Sequence, residues 1–126
     1  VINIQAVKNA EWDVVTEDIR TVKKACGETV LKVIIETDYL TKEEIVEACK
    51  CAIAAKADFV KTSTGFVNGG VGAKAEDVKL MYETVKDAGL RVKASGGIRD
   101  RQAAEAMVAA GASSLGTSSG IKIVEG

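Results

Sequence analysis

The chain has 126 residues, 47% of them hydrophobic, which suits a compact core, and its 17 basic and 18 acidic residues leave a net charge of −1. That balance argues against a nucleic-acid or anionic-membrane surface. There is no histidine, so Ser-His-Asp and Cys-His catalysis and histidine metal sites are excluded, and acid/base work falls to Lys, Asp and Glu.

In chain order, Val1-Ile2-Asn3-Ile4 reads as a strand. Trp12, Val15, Ile19 and Val22 then form a helical stripe that stops before Gly27. Val30 to Glu36 is a nearly unbroken apolar run with Lys32 early in it, the pattern of a strand covered on both faces. Thr41 and Glu44 make a capping-box pattern ahead of a stripe of Ile45, Ala48, Cys49 and Ala52. Phe59-Val60-Lys61 closes another strand. The Gly-rich loop after it, Gly65 to Gly72, has neither a Walker lysine nor a G-x-G-x-x-G pattern. Val78, Met81, Tyr82 and Val85 predict a helix before Gly89, followed by a strand from Arg91 to Ser95 that carries Lys93. Ala103, Ala106, Met107 and Ala110 predict a last helix before Gly111, and Ser114 to Gly116 a last strand.

Cys26, Cys49 and Cys51 are odd in number and lack metal-type C-x-x-C spacing, so they read as reduced, packed thiols. The first residues do not read as a charged-then-apolar leader, and no apolar run approaches the ~20 residues of a membrane span. A cytoplasmic location and no membrane partner are the expectations.

The repeated unit is a helix, a stop and then a strand whose end is polar, which implies a parallel α/β sheet with short crossovers. An open doubly wound sheet and a (β/α)8 barrel both use such units. Lysines on successive strands favour the barrel, where catalytic residues sit at the carboxyl ends of several strands. Phe59, Lys61 and Ser63 share one side of their strand, so Lys61 is expected to face an interior. Desolvation would lower its pKa and leave a nucleophilic amine, and Lys93 on a neighbouring strand would depress it further. A lysine that snorkels or pairs with a carboxylate is the commoner reading of any single strand lysine. Gly65, Gly96-Gly97 and Ser118-Ser119 each follow a strand, where barrels commonly bind phosphate through backbone N–H groups.

The segments Leu31-Lys32-Val33-Ile34-Ile35-Glu36-Thr37, Phe59-Val60-Lys61-Thr62-Ser63-Thr64-Gly65, Val92-Lys93-Ala94-Ser95-Gly96-Gly97-Ile98 and Gly116-Thr117-Ser118-Ser119 resemble, in order and spacing, the bacterial-type deoxyribose-phosphate aldolases. The resemblance covers essentially the whole chain and matches only the C-terminal part of such enzymes. It implies a TIM barrel of which residues 1–126 form one partial domain, with about five strands and four helices. It further implies that Lys61 forms a Schiff base with acetaldehyde, that the enamine attacks glyceraldehyde 3-phosphate, and that 2-deoxyribose 5-phosphate is released, reversibly and without a metal or cofactor. Lys93 would tune Lys61 and move protons. Gly65, Gly96, Gly97, Ser118 and Ser119 would hold the phosphate, and Thr64 would contact substrate. Lys32 either positions substrate hydroxyls or pairs with Glu36 or Asp38. The family's acidic proton-relay residue falls just ahead of Val1.

Two alternatives stand beside the aldolase. One is a half-barrel that assembles and binds phosphate without turnover. The other is a different phosphate-binding barrel enzyme, such as an isomerase, although those usually use glutamate and histidine chemistry. Because a partial barrel leaves sheet edges and apolar surface open, pairing with a second copy or with an N-terminal part is expected.

Overall fold

The computed structural model describes residues 1–117 and 119–125. The first segment is a helix rather than the expected strand: α1 spans Ile4–Lys8 because the Asn3 side chain accepts a hydrogen bond from Ala6 N at 3.0 Å and so caps it. Strand-like pairing survives at Ile2, whose N–H donates to Ile34 O at 2.9 Å. Helix α2 (Trp12–Cys26) buries Val15 and Ile19, while Val22 of the expected stripe is 49% exposed.

Four parallel strands follow, β1 (Lys32–Ile34), β2 (Phe59–Lys61), β3 (Arg91–Ser95) and β4 (Ser114–Gly116). Between them run α3 (Lys42–Ala54), α4 (Ala75–Val85) and α5 (Arg101–Ala110), and α6 (Gly120–Glu125) comes last. The capping box at α3 is present in full: the Thr41 hydroxyl accepts from Glu44 N, and the Glu44 carboxylate accepts from Thr41 N at 2.9 Å.

The strands are hydrogen-bonded in the order β1-β2-β3-β4, that of the sequence. A doubly wound sheet needs a point where strand order reverses, and the described residues contain none. With every right-handed crossover stepping the same way, all the connecting helices fall on one face. Val33, Val60, Val92 and Ala94 point to that face and are buried. Fully burying such a side chain contributes about 1.5–3 kcal/mol. Lys32, Ile34, Phe59, Lys61, Arg91 and Lys93 alternate with them on the opposite face, all half-buried or exposed. This is half of a (β/α)8 barrel, its helices outside and its lysines on the side that becomes the interior.

Cys49 and Cys51 are both buried although they leave α3 in different directions, because that helix packs against both α2 and α4. Burial pushes the Cys49 thiol up to about 12, which keeps it protonated and inert. The Cys51 thiol is raised by burial as well, and it donates to Trp12 O at 3.6 Å.

Candidate functional site

One row of the sheet holds the two lysines singled out in the sequence. Ile34 is the register partner of Lys61, Lys61 of Lys93, and Lys93 of Ser114, so both lysines stand side by side at neighbouring strand ends on one face. Adjacent strands lie only ~4.8 Å apart, which sets two ammonium groups against each other. Lys93 is held below the ordinary lysine range, first by burial and then by the charges of Lys32 and Lys61. Gly116 makes room for it: a Cβ there would lie 3.2 Å from Lys93 Cε and 3.9 Å from its Nζ. Lys61 is half-buried rather than fully interior, since its face carries no helix.

Lys32 belongs to a different row. Its register partner is Phe59, its side chain is exposed, and its ammonium lies 4.9 Å from the centroid of the Phe59 ring, within cation–π range. The carboxylates considered as its partners are engaged elsewhere. Glu36, buried and in a left-handed conformation with φ of 56°, accepts from Thr64 N at 3.0 Å and from the Thr64 hydroxyl at 2.7 Å. Asp38 accepts from the backbone of the Gly-rich loop, from Val71 N at 3.1 Å and Gly72 N at 2.9 Å. The Thr64 hydroxyl also accepts from Phe66 N at 3.1 Å, so it ties down the turn after β2 instead of standing free.

The strand ladder continues past the strand ends and stiffens the site from below. Ile35 N donates to Lys61 O, Thr37 N to Thr62 O, and Thr62 N to Lys93 O. Ser95 N donates to the Thr62 hydroxyl at 3.0 Å, and that hydroxyl donates to Ser95 O at 2.9 Å. Buried hydroxyls satisfied in this way lock the strand ends in register.

Above this platform opens a cleft of about 430 Å³. Lys61 lies at one wall, with Thr64 and Gly65 from the same turn. Gly96 and Gly97 form the opposite rim, joined by Gly116 and Thr117 from the end of β4. The Thr117 hydroxyl donates to Ile98 O at 2.5 Å, which links the two late turns. Arg99 also lines the cleft, exposed, and supplies a cation that the sequence reading passed over. Its only signal was a basic residue two places after a Gly-Gly turn.

The structure thus brings Lys61, Thr64, Gly65, Gly96 and Gly97 around one opening, while Lys93 stands beside Lys61 in the sheet and outside the cleft lining. Ser119 falls beyond the cleft lining, where its N–H donates to the Thr117 hydroxyl at 3.0 Å. Ser118 lies outside the described residues.

A parallel sheet in sequential order, with helices on one face and a glycine-rimmed opening at its carboxyl edge, defines part of a (β/α)8-barrel protein. The chain belongs to the DeoC/LacD family of aldolases, which matches residues 1–126. It is 56% identical over 127 residues to the deoxyribose-phosphate aldolase of Exiguobacterium sp., covering 100% of this chain and 56% of the relative. The crystal structure of a putative deoxyribose-phosphate aldolase from Coccidioides immitis superposes with a TM-score of 0.93 at 45% identity, over 98% of this chain and 49% of that one. The deoxyribose phosphate aldolase from Aeropyrum pernix, described as a unique tetrameric structure, matches with a TM-score of 0.82 at 34% identity, over 90% and 49%. The chain spans about half the length of the curated relatives it matches.

Proposed function

We propose that this chain carries the Schiff-base half of a deoxyribose-phosphate aldolase, with Lys61 as nucleophile. The observation that supports this best is the register pairing of Lys61 with Lys93 beside the glycine-rimmed cleft. In the cleavage direction the neutral Lys61 amine adds to the aldehyde carbon of open-chain 2-deoxyribose 5-phosphate, and loss of water gives a protonated imine. The bond between the second and third sugar carbons then breaks. Its electron pair flows into the imine to give an enamine, the third-carbon hydroxyl loses its proton, and glyceraldehyde 3-phosphate leaves. Protonation of the enamine carbon and hydrolysis release acetaldehyde and restore the amine. Lys93, held below its ordinary range, gives up its proton more readily than a free lysine, which suits it to donate a proton beside the imine.

Gly65, Gly96 and Gly97 would take the phosphate on backbone N–H groups, with Arg99 neutralising charge, and Ser118 and the Ser119 hydroxyl, which lies beyond the present lining, are the further donors that the family resemblance implies. Lys32 and Thr64 act at the margin, Thr64 by shaping the turn beside Lys61. Among the described residues no helix is long and apolar enough to cross a membrane, and a cytoplasmic sugar-phosphate enzyme is the reading that goes with the named relatives.

A second reading is a half-barrel that binds phosphate and assembles, with a copy of itself or with an N-terminal half, without turnover. It is favoured by the exposed apolar residues Val108 (57%), Ile121 (77%) and Val124 (78%) near the end of the sheet. The test is cleavage of 2-deoxyribose 5-phosphate followed by reduction of the acetaldehyde formed. Turnover by the wild-type chain that disappears in Lys61→Leu supports the aldolase. Turnover that survives in Lys61→Leu overturns it, and phosphate binding without turnover selects the second reading.

A further inference from the structure

Asp38 is remote from the lysine row in sequence, but it is the acceptor on which the Gly-rich loop is hung. Its two carboxylate oxygens take the N–H groups of consecutive residues, Val71 and Gly72. That loop in turn rests on the glycine rim of the cleft. Ala73 N donates to Gly96 O at 3.0 Å, and a Cβ at Gly72 (φ of +81°) would lie 2.5 Å from the Gly96 carbonyl carbon. A Cβ at Gly97 would lie 2.5 Å from Val71 O, so both rim glycines touch the loop that Asp38 holds. Asp38 itself is fixed by the short 3-10 turn Thr37–Tyr39, in which Tyr39 N donates to Glu36 O and Leu40 N to Thr37 O. Glu36 anchors the head of this turn through Thr64.

We propose that Asp38 is a positioning residue for phosphate recognition: through Val71 and Gly72 it holds the Gly-rich loop against Gly96 and Gly97 and so fixes the rim that takes the anion. This rests on the aldolase reading of the cleft and adds the residue that pre-organises it. Asp38 does not itself meet the ligand. Its removal lowers the fraction of molecules whose rim is in the binding form, and a fraction of about one-tenth weakens the apparent affinity about tenfold.

The experiment compares the wild-type chain with Asp38→Ala and Asp38→Asn, using inorganic phosphate as probe. Affinity is read by calorimetry, and Lys61 reactivity by borohydride trapping of acetaldehyde, which has no phosphate. The expected result is an approximately tenfold weaker phosphate affinity in Asp38→Ala and a smaller loss in Asp38→Asn, which keeps one acceptor oxygen. The trapping rate should move far less than the affinity, and the Val71 and Gly72 amides should lose hydrogen-exchange protection. Unchanged phosphate affinity in Asp38→Ala overturns the proposal alone. So does an equal fall in affinity and trapping, which marks a general loss of structure. If Asp38→Ala does not fold, Asp38→Asn decides by the same two readouts. No phosphate binding by the wild-type chain overturns the functional reading of the cleft, and the positioning role with it.

Discussion

Lys42→Met probes the contact between the helices that back the site. Lys42 opens α3 and pairs with Asp77 in the first turn of α4, while Glu76 lies 3.2 Å from the same ammonium. The Asp77 side chain is 1% exposed and that of Lys42 is 52% exposed. Among the described residues the Asp77 Oδ2 atom has no hydrogen-bond partner, and Lys74 stands 3.6 Å from it. Breaking a fully buried pair costs about 3–5 kcal/mol, whereas an exposed pair contributes about 0.2–1 kcal/mol. Here the buried partner loses its main cation but keeps Lys74, and the removed partner was half in water. Lys42→Met should therefore cost about 1–2 kcal/mol at neutral pH, read from urea unfolding midpoints at equal slope. The hydrogen bond to Asp77 raises Lys42 above its ordinary 10.5. A raised lysine stabilises the fold fully below its unfolded-state value and loses that stabilisation as pH climbs through the folded one. The gap between wild type and Lys42→Met should thus narrow only above that ordinary value. A gap under about 0.3 kcal/mol at neutral pH, or one that widens with alkali, would refute this reading of the pair.

Gly116→Ala places a methyl group 3.0 Å from Ser95 Cβ and 3.2 Å from Lys93 Cε. It should cost about 1 kcal/mol by overpacking and shift the pH profile of Lys61 trapping, because Lys93 must move; an unchanged profile counts against the role of Lys93. Gly72→Ala forces a Cβ into the Gly96 backbone in a left-handed conformation that alone costs roughly 1–2 kcal/mol. It should weaken phosphate binding at least as much as Asp38→Ala, as calorimetry would read. Lys93→Leu should raise the urea midpoint at neutral pH, since a lysine lowered in the fold carries an electrostatic penalty while it is charged. That gain should fade as pH rises from the folded value of Lys93 toward 10.5, and a constant gain would point to packing instead.

The helices with strong apolar stripes were legible from the sequence, and so was the capping box at Thr41, because both patterns are local. The pairing of Lys61 with Lys93 was legible too, from equivalent positions in repeated units. Asn3 was misread because Val1-Ile2-Asn3-Ile4 alternates like a strand, and nothing in that pattern shows which backbone N–H the Asn side chain will cap. The expectation of five strands fell to four for that reason. Tyr82 follows the helical period yet is 40% exposed, since periodicity fixes a direction and not the width of the covered face. The partners of Glu36 and Asp38 were beyond sequence reasoning altogether. Each contact spans about thirty residues and depends on where two loops fold back.

The central claim is that Lys61 is the amine that attacks. The measurement is borohydride trapping of the chain with acetaldehyde, with the modified residue located by peptide mass spectrometry. The account requires a single ethyl adduct concentrated on Lys61, slower to form at neutral pH in Lys93→Leu and recovering as pH rises. Adducts spread evenly over the surface lysines, or labelling unchanged in Lys61→Leu, would contradict it.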